Sequence, residues 1–285
     1  MLPSVADRET VGSPPLAAIN FQEKAMNVNT SKVALVTGGS RSIGRATALE
    51  LARLGYFVIV HYRADQKAAN ATLDVIKKGG SDGFAVSADL TSPVGVSQMF
   101  DAVDAGLARH GRSSVLNVLV NNAGVADGAP IAETTSDLFD RQFTLNVKAV
   151  FFTTQAALSR MGSGARIINL SSVLSSRVFE TANGFVPFSA YAAAKAAIDA
   201  LTRHWAMELA PRGIIVNAVA PGPVDTDMNA SWLRTDDGQA MMKAASPLGR
   251  VGLPEDIAGV IAFLASSGSQ WTTGQVIDAS GGYRL

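Results

Sequence analysis

The sequence predicts an open α/β domain: a mainly parallel, seven-stranded sheet, doubly wound, with helices on both faces. Three observations carry this expectation. From Lys32 onward, short apolar runs alternate with segments of helical length, which is the pattern of βαβ units. The runs are nearly continuous in Val, Ile and Leu, as strands buried on both faces require. The 285 residues, 47% of them hydrophobic, are enough to bury the core of one large domain.

The elements follow in order. "VALVT" (33–37) is the first strand, and it delivers the chain to Gly38-Gly39 and an Ala- and Leu-rich helix over 43–54. "FVIVH" (57–61) is followed by a helix over 66–78, "GFAVS" (83–87) by one over 93–110, and "NVLVN" (117–121) by a long one over 136–160. "RIINL" (166–170) leads through an extended connection to a helix over 189–211. "IIVNAVA" (214–220), a helix over 254–266 and "QVIDA" (275–279) close the domain. Segments 172–188 and 221–247 are too long for ordinary connections. Both follow strand carboxyl ends, where open α/β sheets bind ligands, so they are expected to build the substrate pocket, with a lid around 226–247. Residues 1–31 are polar, carry Pro14-Pro15 and lack the basic start and apolar stretch of a secretory signal. They are expected to be a poorly ordered tail before a domain spanning 32–285, with Met26 as an alternative start.

Composition narrows the function. With 24 basic and 24 acidic residues the net charge is zero, so no overall field recruits nucleic acid or an anionic membrane. The absence of cysteine excludes disulfides, thiolate metal sites and a catalytic thiol, and makes the cytoplasm the default location. No apolar run approaches the ~20 residues of a membrane span. His61, His110 and His204 are scattered without metal-ligand spacing, so a metal-free mechanism is expected.

Six motifs can carry chemistry. "TGGSRSIG" (37–44) joins strand to helix as a pyrophosphate turn does, although Ser42 interrupts the usual glycine spacing. In "YAAAK", Tyr191 and Lys195 share one helix face four residues apart, in a setting stripped of large side chains. "NLSSV" (169–173) and "NNAG" (121–124) stand at strand ends, and Asn146 in "TLNV" is a costly polar residue in an apolar helix unless it is hydrogen-bonded. "PGPVDT" (221–226) follows another strand.

In this order, together with "ADL", "GRVGLPEDIA" and "TTGQVIDASGG", these motifs resemble the short-chain dehydrogenase/reductase family in its compact form over residues 32–284. The resemblance implies a Rossmann-type enzyme that moves a hydride between a nicotinamide cofactor and an alcohol or carbonyl. It implies a tetrad: Tyr191 as general acid or base, Lys195 lowering its pKa and holding the ribose, Ser172 (with Ser171 as fallback) orienting the substrate oxygen, and Asn146 anchoring a water. Cofactor contacts are implied at Gly38, Ser40, Arg41, Ser42, Ile43 and Gly44 of the turn, and at Tyr62 and Arg63 after the second strand. Further contacts are implied at Asp89 and Leu90, at Asn121, Ala123 and Gly124, at Tyr191 and Lys195, and at Pro221, Gly222, Val224 and Thr226. Arg41 and Arg63 suit a ribose 2′-phosphate, so NADP(H) is preferred, with Asp65 the residue that would instead select NAD(H).

The expected partner is a small carbonyl or alcohol substrate, probed by an apolar rim of Phe179, Phe185 and Phe188 and a lid bearing Met228, Trp232, Met241 and Met242. Self-association through the two long helices, commonly as tetramers, is implied by the resemblance. A carrier-protein substrate would need Arg166, Arg177 and Arg203 to converge. Eighteen residues separate Ser172 from Tyr191, more than the family's usual spacing, which implies an altered pocket rim. The alternative function is a non-catalytic NAD(P)-binding sensor or scaffold, disfavoured because the tetrad is complete. Only if the backbone at Ser42 stays at negative φ can its hydroxyl bond a phosphate oxygen in this turn.

Overall fold

The computed structural model describes residues 31–178 and 186–284. Residues 1–30 of the expected tail, Met26 among them, lie outside these residues, as do Phe179 and Phe185. Seven parallel strands form one sheet: β1 (Val33–Val36), β2 (Phe57–Tyr62), β3 (Gly83–Ser87), β4 (Val118–Asn121), β5 (Arg166–Leu170), β6 (Ile215–Pro221) and β7 (Val276–Ala279). Their order is β3-β2-β1-β4-β5-β6-β7. Each is one of the seven sequence-predicted strands, with ends shifted by a residue or so.

The helices are α1 (Ser42–Arg53), α2 (Gln66–Lys78), α3 (Gly95–Arg109), α4 (Ser136–Phe143), α5 (Ala149–Ala157), α6 (Ser189–Leu209), α7 (Ala230–Leu233), α8 (Asp236–Ala245) and α9 (Pro254–Ala265). The doubly wound arrangement is visible within β1 itself. Val33 and Leu35 pack into a core with residues of α3, α5 and α6, while Ala34 and Val36 face a second core with residues of α1, α2 and α9. All four are at most 4% exposed, so neither face of the strand meets water. Burying a side chain of this kind contributes roughly 1.5–3 kcal/mol, which is why the strand reads as an unbroken apolar run.

Two elements differ from the sequence reading. The predicted helix over 136–160 is interrupted by a wide π turn over Thr144–Lys148 with Asn146 inside it. The expected lid segment contains α7 and α8. Thr235 starts α8 by accepting a hydrogen bond from the Gly238 N–H, and Asp236 and Asp237 in its first turn suit the helix dipole.

β1 is paired on one side with β2 and on the other with β4, so the chain direction of winding reverses between β1 and β4. A crevice opens at the carboxyl ends of these strands, as at such switch points generally. The glycine turn leaves β1 on one side of it, and the "NNAG" turn leaves β4 on the other.

Candidate active site

The glycine turn is shaped by close approach. Gly38 has φ +62°, and a Cβ added at Gly44 would lie 2.1 Å from the Gly38 carbonyl oxygen and 2.5 Å from Asn122 Nδ2. Only glycine fits the second position. The turn is then tied to its surroundings by side chains. Thr37 Oγ1 accepts from the N–H groups of Asn122 (2.9 Å) and Ala123 (3.0 Å), and Asn122 Nδ2 donates to the carbonyls of Thr37 (2.8 Å) and Gly38 (3.1 Å). His61 completes the framework: its Nδ1 accepts from Gly38 N–H and its Nε2 donates to Ala88 O, both at 3.1 Å. Burial pushes the imidazole pKa down to about 4, so it stays neutral, as this pair of bonds requires.

Ser42 does not meet the negative-φ condition. It lies at φ +49°, in the left-handed region, not at negative φ. An L-residue there costs about 1 kcal/mol, and the position matches the glycine of the usual pattern because that conformation is glycine's. Its hydroxyl accepts a 3.4 Å hydrogen bond from Asp227 N–H, linking the turn to the segment before α7. That segment is further braced by Arg234, which meets Asp225 at 2.8 Å and Asp227 at 3.8 Å.

The turn opens onto a cavity of about 650 Å³ that runs along the crevice. Every expected tetrad and cofactor-contact residue lines it except Asn121. Asn121 is buried in the sheet, with Nδ2 donating to Asn169 Oδ1 and Thr154 Oγ1, and Asn122 lines the cavity instead. The alternating strand pleat explains the exchange, because neighbouring residues face opposite ways. At the far end stand Arg41, Arg63 and Asp89, the carboxyl of Asp89 being held below the usual range mainly by its bonds to Thr91. Among the described residues neither Arg41 nor Arg63 forms an ion pair. Asp65 is not at the cavity; its carboxylate caps α2 by accepting from Ala68 N–H at 2.9 Å.

At the near end Tyr191, Ser172, Lys195 and Asn146 come together. Ser172 follows β5 and accepts from Leu174 N–H at 3.2 Å, which aims its hydroxyl at the Tyr191 oxygen. Ser171, the fallback, turns the other way: it is bonded to Asp199 and, at 3.4 Å, to the Lys195 carbonyl. Burial drives the Tyr191 phenol up to about 12, and the opposing influence is the Ser172 hydrogen bond. The Lys195 ammonium donates to Leu170 O at 2.7 Å and sits 5.6 Å from the centroid of the Tyr191 ring. Burial lowers Lys195 to about 8, with Asp199 acting in the opposite sense.

The Asn146 side chain is tied to neighbouring protein groups. Its Oδ1 accepts from Val125 N–H, and its Nδ2 donates to Val125 O and to Gln142 Oε1. Its Oδ1 and Lys195 Nζ lie 2.7 and 3.7 Å from where a Cβ of Gly124 would be, so glycine is needed between them.

Among the described residues, three of the five expected in the apolar wall reach the cavity. Met228, Trp232 and Phe188 line the cavity, with the Phe188 ring edge-on to Tyr191 at 6.3 Å. Met242 is buried in a separate cluster with Leu233, Val251 and Tyr283, and Met241 packs on that cluster. Arg166 is buried and bonded to the carbonyls of Ala265 and Ser266, while Arg177 is paired with Asp278. They do not build a docking patch with Arg203. Asn122, Thr37 and His61 were missed in sequence: a lone histidine carries no signal for such a brace, whereas the doubled Asn of "NNAG" did mark the strand end.

Comparison with known proteins agrees with this architecture. The family described as enoyl-(acyl carrier protein) reductase matches residues 38–284. An uncharacterized oxidoreductase of Methylorubrum extorquens is 42% identical over 254 residues, covering 89% of this chain and 98% of the relative. The hydroxynaphthalene reductase-like protein Arp2 of Metarhizium robertsii is 40% identical, covering 89% of this chain and 95% of its own. Among solved structures, the angucycline C-6 ketoreductase LanV with bound NADP is 40% identical, with a TM-score of 0.81 over 90% of this chain and 96% of its own. A second LanV structure holds NADP and rabelomycin, with a TM-score of 0.78. The fold and the cavity define an oxidoreductase of the doubly wound nucleotide-binding class. The chain belongs to the short-chain dehydrogenase/reductase family.

Proposed function

We infer that this protein is an NADP(H)-dependent ketoreductase acting on fused-ring aromatic ketones, with Asn146, Ser172, Tyr191 and Lys195 as its tetrad. The observation that carries the reading is the polarity of one cavity: two unpaired guanidiniums at one end, and a serine-bonded, protonated phenol at the other. Its volume lies within the ~300–1,000 Å³ usual for ligand sites.

The cavity suits the dinucleotide. Arg41 and Arg63 are available to a 2′-phosphate, and Asp65 is diverted to capping α2. The N-terminus of α1 has no side-chain cap and no acidic residue in its first turn, which leaves its N–H groups for the pyrophosphate. Bound nicotinamide supplies the hydride. Tyr191 donates its proton to the carbonyl oxygen, the phenol being in its protonated form at neutral pH as reduction requires. Ser172 hydrogen-bonds the same oxygen as charge develops on it. Lys195 holds the ribose and contributes positive charge beneath the phenol, and Asn146 fixes the Val125 backbone that walls the substrate side.

An aromatic substrate fits Phe188, Trp232 and Met228, and matches the chemistry named for LanV and for the hydroxynaphthalene reductase-like relative. The test follows NADPH and NADH oxidation with 1- and 2-tetralone and larger polycyclic ketones. Turnover with NADPH above NADH supports the reading; tight NADPH binding without turnover of any ketone sinks it.

Self-association belongs to the same reading. Phe151 and Phe152 on α5 and Met207 on α6 are large exposed apolar side chains on the two long helical segments. Light scattering of the purified protein tests it. No helix among the described residues is long and apolar enough to cross a membrane, and a cytoplasmic location fits a chain without cysteine.

A further inference from the structure

The segment after the β4 turn, residues 125–129, lines the cavity through Val125, Ala126 and Asp127 and is anchored at both ends. Val125 is bonded through both its N–H and its carbonyl to Asn146. Ala129 N–H donates to Pro187 O at 2.9 Å. Gly128 packs so closely on residues 186–188 that a Cβ there would lie 2.9 Å from Val186 Cγ1 and 3.3 Å from Phe188 Cε1.

Asp127 stands between these anchors and lines the cavity. Its carboxylate is held by one oxygen. Oδ2 receives Arg141 Nη2 and Gln142 Nε2, each at 3.0 Å. Neither donor residue lines the cavity, so both reach Oδ2 from outside it. Gln142 is fully buried, and its Oε1 accepts from Asn146 Nδ2 at 3.0 Å, which fixes the amide that orients Asp127. Oδ1 makes no hydrogen bond among the described residues. The result is an oriented acceptor whose charge Arg141 already offsets. Such a group has little attraction left for a cation and repels an anion, but it suits a neutral hydroxyl donor. Phe188, on the adjoining wall, and Trp232 and Met228, from the lid segment, supply apolar surface for a flat ring beside it.

We propose that Asp127 Oδ1 accepts a hydrogen bond from a ring hydroxyl of the substrate, so that the preferred substrates are fused-ring aromatic ketones bearing a phenolic hydroxyl remote from the reacting carbonyl. Gln142 is a positioning residue that ties this subsite to Asn146. The inference rests on the ketoreductase reading of the same cavity.

The experiment compares kcat/KM with NADPH for 2-tetralone and for its ring-hydroxylated isomers, in the wild type, Asp127→Asn and Asp127→Leu. The wild type should favour at least one hydroxylated isomer by about tenfold or more, the worth of a hydrogen bond to a charged acceptor. Asp127→Asn should reduce that ratio several-fold, and Asp127→Leu should bring it to about one or below. Turnover of 2-tetralone itself reports on the ketoreductase reading, and the ratio reports on the subsite. Equal efficiency on all isomers in the wild type, or a ratio unchanged in Asp127→Asn, overturns the subsite while leaving the ketoreductase intact. No turnover of any ketone removes both.

Discussion

The two ends of the cavity are built by different means. The nucleotide end is a backbone construction: a glycine turn, a helix N-terminus, and braces from Thr37, Asn122 and His61 that fix main-chain atoms. The substrate end is a side-chain construction, assembled from segments that leave β4, β5 and β6 and close over Tyr191. Changes at the first end should therefore alter cofactor affinity and stability, and changes at the second should alter turnover and substrate choice.

The strongest separation of the two is expected from Tyr191→Phe, which removes the proton donor and keeps the ring. Reductive kcat should fall by about 10²–10⁴-fold, while NADPH affinity measured by fluorescence stays within a few-fold. Comparable losses in both would erase the distinction. Gly44→Ala is the converse probe. A Cβ placed 2.1 Å from the Gly38 carbonyl must displace the turn, so NADPH affinity should weaken by roughly a hundredfold or the fold lose about 2 kcal/mol or more.

Arg63→Ala should act on cofactor choice alone, lowering the NADPH-to-NADH ratio of kcat/KM by about tenfold or more through loss of a charge-assisted contact. The pH dependence sharpens the same contrast. His61 titrates near about 4 in the fold and near 6.5 when unfolded, so the unfolded chain binds more protons between those values. Stability should thus be fully present above pH ~6.5 and fall, by up to roughly 3 kcal/mol, as pH drops toward 4. Denaturant midpoints at pH 7 and pH 4.5 measure this, and His61→Gln should flatten the difference. Reduction, by contrast, should decline above pH about 8, as Lys195 loses its proton while Tyr191 keeps its own. The smallest effect is expected from Ser42→Gly. Relief of the positive φ should stabilise the protein by roughly 0.5–1 kcal/mol in chemical denaturation, with cofactor affinity changed only modestly.

The same division governs what the sequence reveals. The sheet was legible because β1 to β6 are dominated by apolar residues with few alternatives, and the turn because glycines are visible wherever they stand. Tyr191 and Lys195 could be paired by helical spacing alone. Asn121 and Asn122 could not be told apart, since a one-residue shift in where a strand ends exchanges the inward face for the outward. Asp65 was ambiguous for a related reason: a carboxylate just after a strand serves a ribose or a helix cap equally well, and only the start of α2 decides. The elevated phenol of Tyr191 depends on burial by segments far apart in sequence. Asp127 and Gln142 offered no signal, because their meeting depends on how the π turn in the long helix sets the face of α4.

The pairing of β1 with β4 joins residues more than eighty positions apart, Val36 with Val120 among them, and the cavity lies along that seam. A ligand that fills it touches both halves of the sheet and has no counterpart site in the unfolded chain. Cofactor at a hundred times its dissociation constant should accordingly add about 2.7 kcal/mol to the stability of the whole domain. The abundance of such an enzyme in a cell would then follow the supply of its reductant, because the chain emptied of cofactor is the one open to proteolysis.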